Sequence, residues 1–495
     1  MRIFLIAVLV LGSLAGCSSP QGNAPSSAGA IQPGPGVVLD ADQRVATSSA
    51  LLADPPRFLQ HDLGHLAGEP TIAISRSGAV LFPAIAFDTP GGNLPQTHLY
   101  LTKTNGTAWT DVTPCIQRVG TPAVGGSLCA GKISPYGVDP MVYGDPTTGR
   151  LFNIDLQEEA SYLSYTDDDG ATWNAVPLAG GNYQKGHDHQ TVWAGPPVGE
   201  IQPTSYPNLL YYCVNTGDIS CARSGDGGMT WTDLGQPHDT CQAGLHGHGI
   251  AAPNGAIFLP QSNYCDNPVL HESTDAGTTW KEVTVSDKVG TDPTDWNNPS
   301  VAVGRDGTVY YMWLDDHMAV RLAASHDGGA TFGPAWNVTL PGVGTANFPT
   351  MVAGDGGRIA FLYYGTSFHS SKDAKKDFAN FAKDYTDANP SWNAYIGMSL
   401  DANTTSPTFV TTLANDPADP IAKGACLQRC YGVYDFMDID IDPISGHVRA
   451  ALVDVCDKAC AQPGGKPPTT YPDGFGALAA QTAGPSLLVA PIPKR

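Results

Sequence analysis

The sequence predicts an all-β fold assembled from seven similar four-stranded units. The first observation is an eight-residue pattern, Ser/Thr-x-Asp-x-Gly-x-Thr-Trp/Phe, which recurs at 166–173, 224–231, 273–280 and 325–332. The second is a series of apolar runs broken by Gly-containing turns, which is typical of β-hairpins. The third is the composition, because 56 Gly and 41 Pro in 495 residues favour short strands joined by turns.

The repeated pattern is explained by turn chemistry. In the first copy, Asp168 is expected to accept hydrogen bonds from backbone amides of the turn, while Gly170 adopts a conformation that other residues resist. Trp173 then begins the next strand and packs between sheets. The pattern therefore marks the fold and is not itself an active site.

Seven hairpins set the number of units. They are expected at 70–87, 140–156, 190–214, 249–260, 299–313, 349–364 and 437–453. Seven four-stranded units that close into a ring form a seven-bladed β-propeller, and six blades is the alternative. Residues 366–390 interrupt the sixth unit and are interpreted as a loop insertion, within which 372–384 has weak helical periodicity.

The first residues predict export and lipidation. The apolar run at 3–11 is too short to span a membrane and is typical of a signal peptide. The phrase Leu14-Ala15-Gly16-Cys17 resembles the bacterial lipobox, which implies cleavage before Cys17 and lipidation of its thiol; an ordinary signal peptide is the alternative. The expected organisation is a lipoprotein signal peptide at 1–16, a lipidated cysteine with a flexible tether at 17–54, and a propeller at 55–495. This organisation predicts an extracytoplasmic, lipid-anchored protein of the bacterial cell envelope.

The net charge limits the partners. A formal net charge of −21 disfavours nucleic acid and anionic lipid surfaces, so membrane contact is expected through the lipid anchor alone. We expect a monomer, and a glycan or a protein remains an alternative ligand.

Ten cysteines remain besides Cys17, and an even number in an exported chain predicts five disulfides. The last four allow three connectivities, and a CxxxC…CxxxC zinc site is their alternative. The expected pairs are Cys115–Cys129, Cys213–Cys221 and Cys241–Cys265, with Cys426, Cys430, Cys456 and Cys460 pairing among themselves.

The repeated pattern resembles the Asp box (BNR repeat) of the sialidase-like β-propellers, and the resemblance covers roughly residues 55 to 495. It implies the propeller fold, with glycosidase chemistry as the activity to examine. Sialidases bind the sugar carboxylate with three arginines, one of them in an Arg-Ile-Pro phrase at the first innermost strand. Gly68-Glu69-Pro70 replaces that phrase here, and no other entry to an innermost strand carries Arg. We therefore expect the fold without the sialidase activity.

Residues that enter the innermost strands are expected to converge on one mouth of the central channel. Imidazoles and carboxylates that converge from several strands are the ligands of transition metals such as Zn, Cu, Ni or Fe. Alternating carboxylates at 438, 440 and 442 make calcium an alternative. The predicted metal ligands are His187, His189, His246, His248 and Asp438. The predicted ligand-binding residues are Glu69, Asp139, Asp188, Asn298, Asn347, Tyr364 and Asp435.

Three functions of different classes fit this ring of polar residues. The first is binding of a metal or small ligand. The second is a glycoside hydrolase or lyase, or a metal-dependent hydrolase, that uses Asp, Glu and His as acid and base. The third is a structural interaction scaffold in which the ring is a hydrogen-bonded plug. The sequence assigns no catalytic residue.

Overall fold

The computed structural model folds the described chain into seven antiparallel β-sheets joined by turns and loops. The described residues are 37–40, 54–86, 96–114, 122–124, 138–157, 160–176, 187–215, 219–237, 245–264, 267–292, 297–427, 430, 433, 435–456, 458–461, 465 and 474–489. The sheets are the blades of a propeller, numbered here in chain order, and each is given below from the innermost strand outward.

Blades 1 to 4 follow one another along the chain. Blade 1 contains Ala73–Ile74, Val80–Ala86, Gln96–Thr102 and Thr110–Asp111. Blade 2 contains Val138–Gly144, Leu151–Gln157, Ala160–Thr166, Thr172–Val176 and, at its outer edge, Pro122–Val124. Blade 3 contains Asp188–Gly195, Leu209–Asn215, Ile219–Ser224 and Thr232–Gly235. Blade 4 contains Ile250–Ala251, Ile257–Tyr264, Asn267–Ser273 and Lys281–Thr284.

Blades 5 to 7 complete the propeller. The outermost strands of blades 6 and 7 come from early in the chain, before blade 1. Blade 5 contains Ser300–Val303, Val309–Leu314, Val320–Ser325 and Trp336–Asn337. Blade 6 contains Thr345–Ala353, Ile359–Thr366, Ser391–Ser399, Thr408–Leu413 and Val37–Asp40, and Ala422–Lys423 pairs with its third strand. Blade 7 contains Asp438–Ile441, Val448–Asp454, Phe475–Ala483 and Arg57–Leu66.

The predicted seven-bladed propeller is confirmed, and the six-bladed alternative is wrong. Every predicted hairpin corresponds to the two inner strands of a blade. The insertion in blade 6 contains the helix Phe378–Ala388, which begins after Asp377 and buries Phe381 and Tyr385. The helix therefore begins inside the stretch whose weak periodicity indicated it and extends four residues beyond the end of that stretch.

The Asp boxes form the expected turns. In blade 2, Asp168 accepts hydrogen bonds from the Thr172 amide at 2.8 Å and from the Thr172 hydroxyl at 2.7 Å. The Gly170 amide donates to the Thr166 hydroxyl at 2.8 Å, and Gly170 has a φ of 80°. The same three bonds recur in the other boxes, around Asp226, Asp275 and Asp327.

Two blades without the full pattern keep part of this turn. In blade 1, the Thr104 hydroxyl stands in for the carboxylate and accepts the Ala108 amide at 2.9 Å. In blade 6, Asp401 accepts the Thr408 amide at 2.8 Å across a longer loop. The box is thus a hydrogen-bonding arrangement that survives changes in the residues that make it.

The ring closes between blades 7 and 1. Arg57–Leu66 pairs with Phe475–Ala483, so a strand from before blade 1 becomes the outer strand of blade 7. At the inner edge, the Ile72 amide donates to Asp438 at 3.1 Å and the Ile74 amide donates to Asp440 at 3.2 Å. Equivalent bonds from a backbone amide to a side chain of the preceding blade join Val142 to Thr71, Gly249 to Thr191 and Met351 to Ser300.

The cysteine predictions are confirmed wherever the structure describes them. Cys213 and Cys221 form the expected disulfide between facing strands. The last four pair as Cys426–Cys430 and Cys456–Cys460, so the zinc alternative does not hold. Cys17, the signal peptide, Cys115, Cys129, Cys241 and Cys265 lie outside the described residues. Within the described chain, none of the helical segments has the length and apolar character needed to cross a membrane.

Replacing Asp275 by Ala should lower the free energy of unfolding by about 1–2 kcal/mol, because a partly exposed turn loses hydrogen bonds to a carboxylate. Urea denaturation measures the change. Asp287→Ala, at an exposed position beyond the last strand of blade 4, is the matched control and should have little effect. Equal losses in the two variants would contradict the structural role of the box.

Candidate functional site

The innermost strands begin at one end of the channel, called the ring mouth here, and four of them begin in an unusual conformation. Glu69, Asp139, His189 and Phe348 have φ values of 48°, 46°, 51° and 52°. In blades 2, 3 and 6 this residue lies in a β-bulge, where the strand register shifts. Because Phe348 shares the conformation, the bulge belongs to the fold, and it re-aims whichever side chain stands there.

Two carboxyl groups meet at this mouth. Glu69 is only 2% exposed, and its side chain is hydrogen-bonded to that of Asp139. Burial raises the pKa of Asp139 to about 6, against the lowering effect of the Glu69 bond, and the negative charges of Asp188 and Asp435 add to the rise. Burial therefore favours the protonated form of Asp139, whereas the hydrogen bond with Glu69 favours its ionised form.

His189 faces a third carboxylate. Its Nε2 lies 3.3 Å from Asp435 Oδ2, and the two side chains are 3% and 4% exposed. Burial lowers the pKa of His189, but the hydrogen bond and the charge of Asp435, with the charges of Asp188 and Asp139, raise it above its usual value. The His189 ring also packs edge-on against Phe436, at 5.6 Å between centroids.

A small cavity of about 30 Å³ lies beside this cluster. Asn298 lines it and donates from Nδ2 to the Asp435 carbonyl at 3.3 Å. His248 also packs against Phe436, with ring centroids 5.3 Å apart, and burial together with the charge of His189 lowers the pKa of His248 to about 4. The lining also includes Phe348 and Asp435, and none of the described lining residues is an arginine.

Two of the predicted metal ligands have other partners. His187 Nδ1 lies 3.1 Å from the Ser161 hydroxyl and 3.3 Å from the Tyr212 hydroxyl, between blades 2 and 3. His246 Nδ1 lies 2.9 Å from the Gly247 carbonyl, and burial lowers the pKa of His246 to about 3. His187 therefore has hydrogen-bonding partners of its own, whereas the charges of His189 and His248 still act on His246.

Three further predicted residues make contacts between blades. Asn347 donates to the Cys426 carbonyl at 2.7 Å, and the Tyr364 hydroxyl donates to the Val453 carbonyl at 2.7 Å. Asp438 accepts hydrogen bonds from the backbone amide of Ile439, its neighbour in the chain, and from that of Ile72 in blade 1. Among the described residues, no three His, Cys, Asp or Glu side chains are grouped so as to hold a metal ion. The transition-metal and calcium sites stay predictions.

The structure adds residues that the sequence reasoning did not select. Phe348 and Phe436 line the cavity. The side-chain amide of Gln190 donates a hydrogen bond from Nε2 to the Asp139 carbonyl. Both phenylalanines stand at entries to innermost strands, at Asn347-Phe348-Pro349 and Asp435-Phe436-Met437. Reading all seven entries as one structural position, rather than selecting the polar ones, would have found them.

The Asp boxes and the closed set of blades define the architecture. The fold is a seven-bladed β-propeller whose turns are built from Asp boxes. No protein-family model matches the chain, and no curated protein matches it. The ring mouth carries the carboxyl groups of Glu69, Asp139 and Asp435.

Solved structures of similar shape come from several sources. A protein of unknown function from Dyadobacter fermentans is 14% identical over 86% of this chain and 98% of its own, with a TM-score of 0.40. The intramolecular trans-sialidase of Ruminococcus gnavus is 12% identical over 83% and 93%, with a TM-score of 0.39. Aleuria aurantia lectin, in complex with a fucoside, is 11% identical over 66% and 91%, with a TM-score of 0.38. Similarities this low carry no information about activity.

The closure between blades 7 and 1 should depend on pH. Burial raises the pKa of Asp438 to about 8 and that of Asp440 to about 7. Asp438 and Asp440 lose their protons near pH 4 in the unfolded chain but keep them to higher pH in the folded state. The free energy of unfolding therefore falls as pH rises from about 4 to about 8. The double variant Asp438→Asn, Asp440→Asn keeps an acceptor oxygen for each amide but cannot ionise. Relative to wild type, it should gain stability between pH 5 and pH 9 in urea denaturation.

Asp327→Asn is the control for this measurement. Hydrogen bonds from Thr331 lower the pKa of Asp327 to about 2, so it is ionised in both folded and unfolded states above pH 5. Its effect on stability should be constant over the range. If the free energy of unfolding of the double variant differed from that of wild type by the same amount at every pH, protonation of Asp438 and Asp440 would be contradicted.

Proposed function

We propose that this protein binds a small cationic ligand at the ring mouth of its channel. The observation that carries the proposal is the number of acidic groups at the ring mouth, because Glu69, Asp139, Asp188 and Asp435 lie close to one another and His189 is paired with Asp435. Burial alone makes the ionised form of such groups costly. A bound cation would favour the ionised form of Asp139, whose pKa is raised by burial to about 6.

The chemistry of the neighbouring cavity supports an ammonium group as that cation. Phe348 and Phe436 supply two aromatic rings, and Asp435 supplies a carboxylate beside them. A cation over an aromatic face gains about 0.5–2 kcal/mol, and the gain is larger where water is excluded. Asn298 fixes the Asp435 backbone, so the carboxylate is held in place before the ligand arrives.

The size of the cavity limits the ligand. At about 30 Å³ it accommodates one or two water-sized groups. A primary ammonium head or a single ion fits that space, whereas a whole sugar ring does not. We therefore expect the charged head of the ligand to enter the cavity and the rest of it to remain outside.

A transition-metal ion is the second candidate. His189 and His248 come from neighbouring blades and both pack against Phe436, with ring centroids 5.6 and 5.3 Å from it. The lowered pKa of His248 keeps its imidazole neutral, which is the form that binds metal. Binding would require both rings to turn toward one ion, with Asp435 as an additional ligand.

The geometry gives less support to hydrolysis. Glycosidases keep their two carboxyl groups about 5–10 Å apart so that substrate or water can lie between them. Glu69 and Asp139 are instead hydrogen-bonded to each other. Hydrolysis by this pair would require it to separate first.

We also propose that the propeller is displayed outside the cytoplasm on a lipid anchor at Cys17. The three disulfides among the described residues support an oxidising compartment. The lipobox phrase and the polar tether that follows it support the anchor.

The cation proposal is tested by calorimetric titration with methylammonium chloride, against sodium chloride at equal ionic strength. Asp435→Asn should weaken methylammonium binding by about tenfold or more, because it removes the carboxylate beside the aromatic rings. Asp316→Asn is the control, since Asp316 is an exposed carboxylate, 53% accessible, beside the second strand of blade 5. It should bind as wild type does.

The outcomes separate the candidates. Stoichiometric zinc binding that is lost in His248→Ala, without methylammonium binding, would favour the metal ion. Failure of methylammonium, zinc and other divalent ions to bind or to shift the melting temperature would contradict both candidates and leave the ring as a structural plug.

The lipid anchor is tested by expression in a bacterial host. Cys17→Ser should move the protein from the membrane fraction to the soluble fraction, because the acylated thiol is lost. Cys213→Ser is the control, because it removes a cysteine that has no role in anchoring. Mass spectrometry that finds unacylated wild-type protein in the soluble fraction would contradict the anchor.

A further inference from the structure

The opposite end of the channel holds a much larger cavity of about 500 Å³, called the funnel here. Each innermost strand runs from the ring mouth to the first hairpin of its blade, so these hairpins meet at the far end. Six blades contribute to the funnel wall, through Arg76, Asp145, Pro196, Pro253, Arg305 and Pro443. The volume is within the range of small-molecule sites, about 300–1,000 Å³.

The carboxylates of the funnel are already engaged by the fold. Asp145 accepts the Thr147 amide at 2.8 Å, the Asn208 side chain at 3.0 and 3.1 Å, and the Tyr206 hydroxyl. Asp440 accepts hydrogen bonds from the backbone amides of Ile74 and Ile441, and the bond from Ile74 is part of the closure between blades 7 and 1. Neither carboxylate has an arginine of the funnel wall as its partner.

Arg76 differs from these groups because its donors are unused. Its Nε is buried without a hydrogen-bond acceptor, and it makes no ion pair among the described residues. Its stem lies over Gly149 of blade 2, where a β-carbon would approach Arg76 Cγ to 2.8 Å. The glycine therefore makes room for the arginine stem where the hairpins of blades 1 and 2 meet. Arg305, across the funnel, is paired with Asp355 at 3.2 Å.

Trp193 supplies a second donor without an acceptor. It lines the funnel, it is 1% exposed, and its indole N–H has no partner. The ring is held by stacking on Tyr211, with centroids 5.6 Å apart. Buried indole N–H groups usually have an acceptor, because an unsatisfied donor costs about 1–3 kcal/mol.

We propose that the funnel binds a small organic anion through an oxyanion, a carboxylate or a phosphate, with Arg76 as the main contact. Guanidinium and indole N–H groups donate but do not accept, so the ligand must bring the acceptor oxygens. The walls of proline, Ile250 and Val303 suit an apolar body attached to that anion. This site is at the opposite end of the channel from the cation site, and the two are independent.

The test is calorimetric titration with sodium benzoate and with sodium phosphate, which separate a carboxylate with an apolar body from a free phosphate. Arg76→Ala should weaken binding of the preferred anion by about tenfold or more, through loss of charge-assisted hydrogen bonds. Arg76→Lys should recover part of it, since the charge remains without the planar donors. Lys103→Ala is the control; it removes an exposed charge that pairs with Asp169 at the Asp-box turn of the same face.

Equal affinity of Arg76→Ala and wild type would overturn the proposal, as would a wild type that binds neither anion at millimolar concentration. If Arg76→Ala does not fold, Arg305→Ala removes the second cation of the funnel and should weaken the same anion severalfold. Unchanged binding in that variant would then overturn the proposal. Methylammonium binding at the ring mouth should be the same in all these variants.

Discussion

Closure of the ring between blades 7 and 1 is the constraint on which the rest of the structure depends. The strand Arg57–Leu66 completes blade 7 from the beginning of the propeller, and Asp438 and Asp440 bind the backbone amides of blade 1 at the inner edge. Side chains of Thr71, Thr191 and Ser300 do the same between other neighbours. The carboxyl groups of Asp438 and Asp440 are costly to bury at the junction of blades 7 and 1, and their hydrogen bonds to backbone amides offset part of that cost.

A closed ring produces two mouths whose chemistry is opposite. At the ring mouth, bulged entries bring together Glu69, Asp139 and Asp435, and acid is in excess over His189. At the funnel, the carboxylates are bonded within the fold, and Arg76 is left with unused donors. The ligand preference at each end therefore depends on which charged side chains are already hydrogen-bonded within the fold. It does not follow from the overall charge of −21.

The fold could be predicted because its signals are local. An Asp box such as that around Asp275 encodes its turn within eight residues, and each hairpin carries its own Gly-containing turn. The site was harder to predict, because strand alternation places His187 and His189 on one face. The bulge at 188–191 and the positive φ of His189 break that alternation, so His187 lies against Ser161 and His189 against Asp435.

The funnel was not predictable from sequence, since it is formed by turns from six blades that are distant in the chain. The most direct measurement of the two-mouth account is anomalous diffraction from crystals soaked in rubidium bromide, in which Rb⁺ stands for an ammonium group and Br⁻ for an anion. The account predicts a rubidium peak beside Asp435 and Phe436 and a bromide peak beside Arg76. Peaks at neither place, or with the ions exchanged, would contradict it.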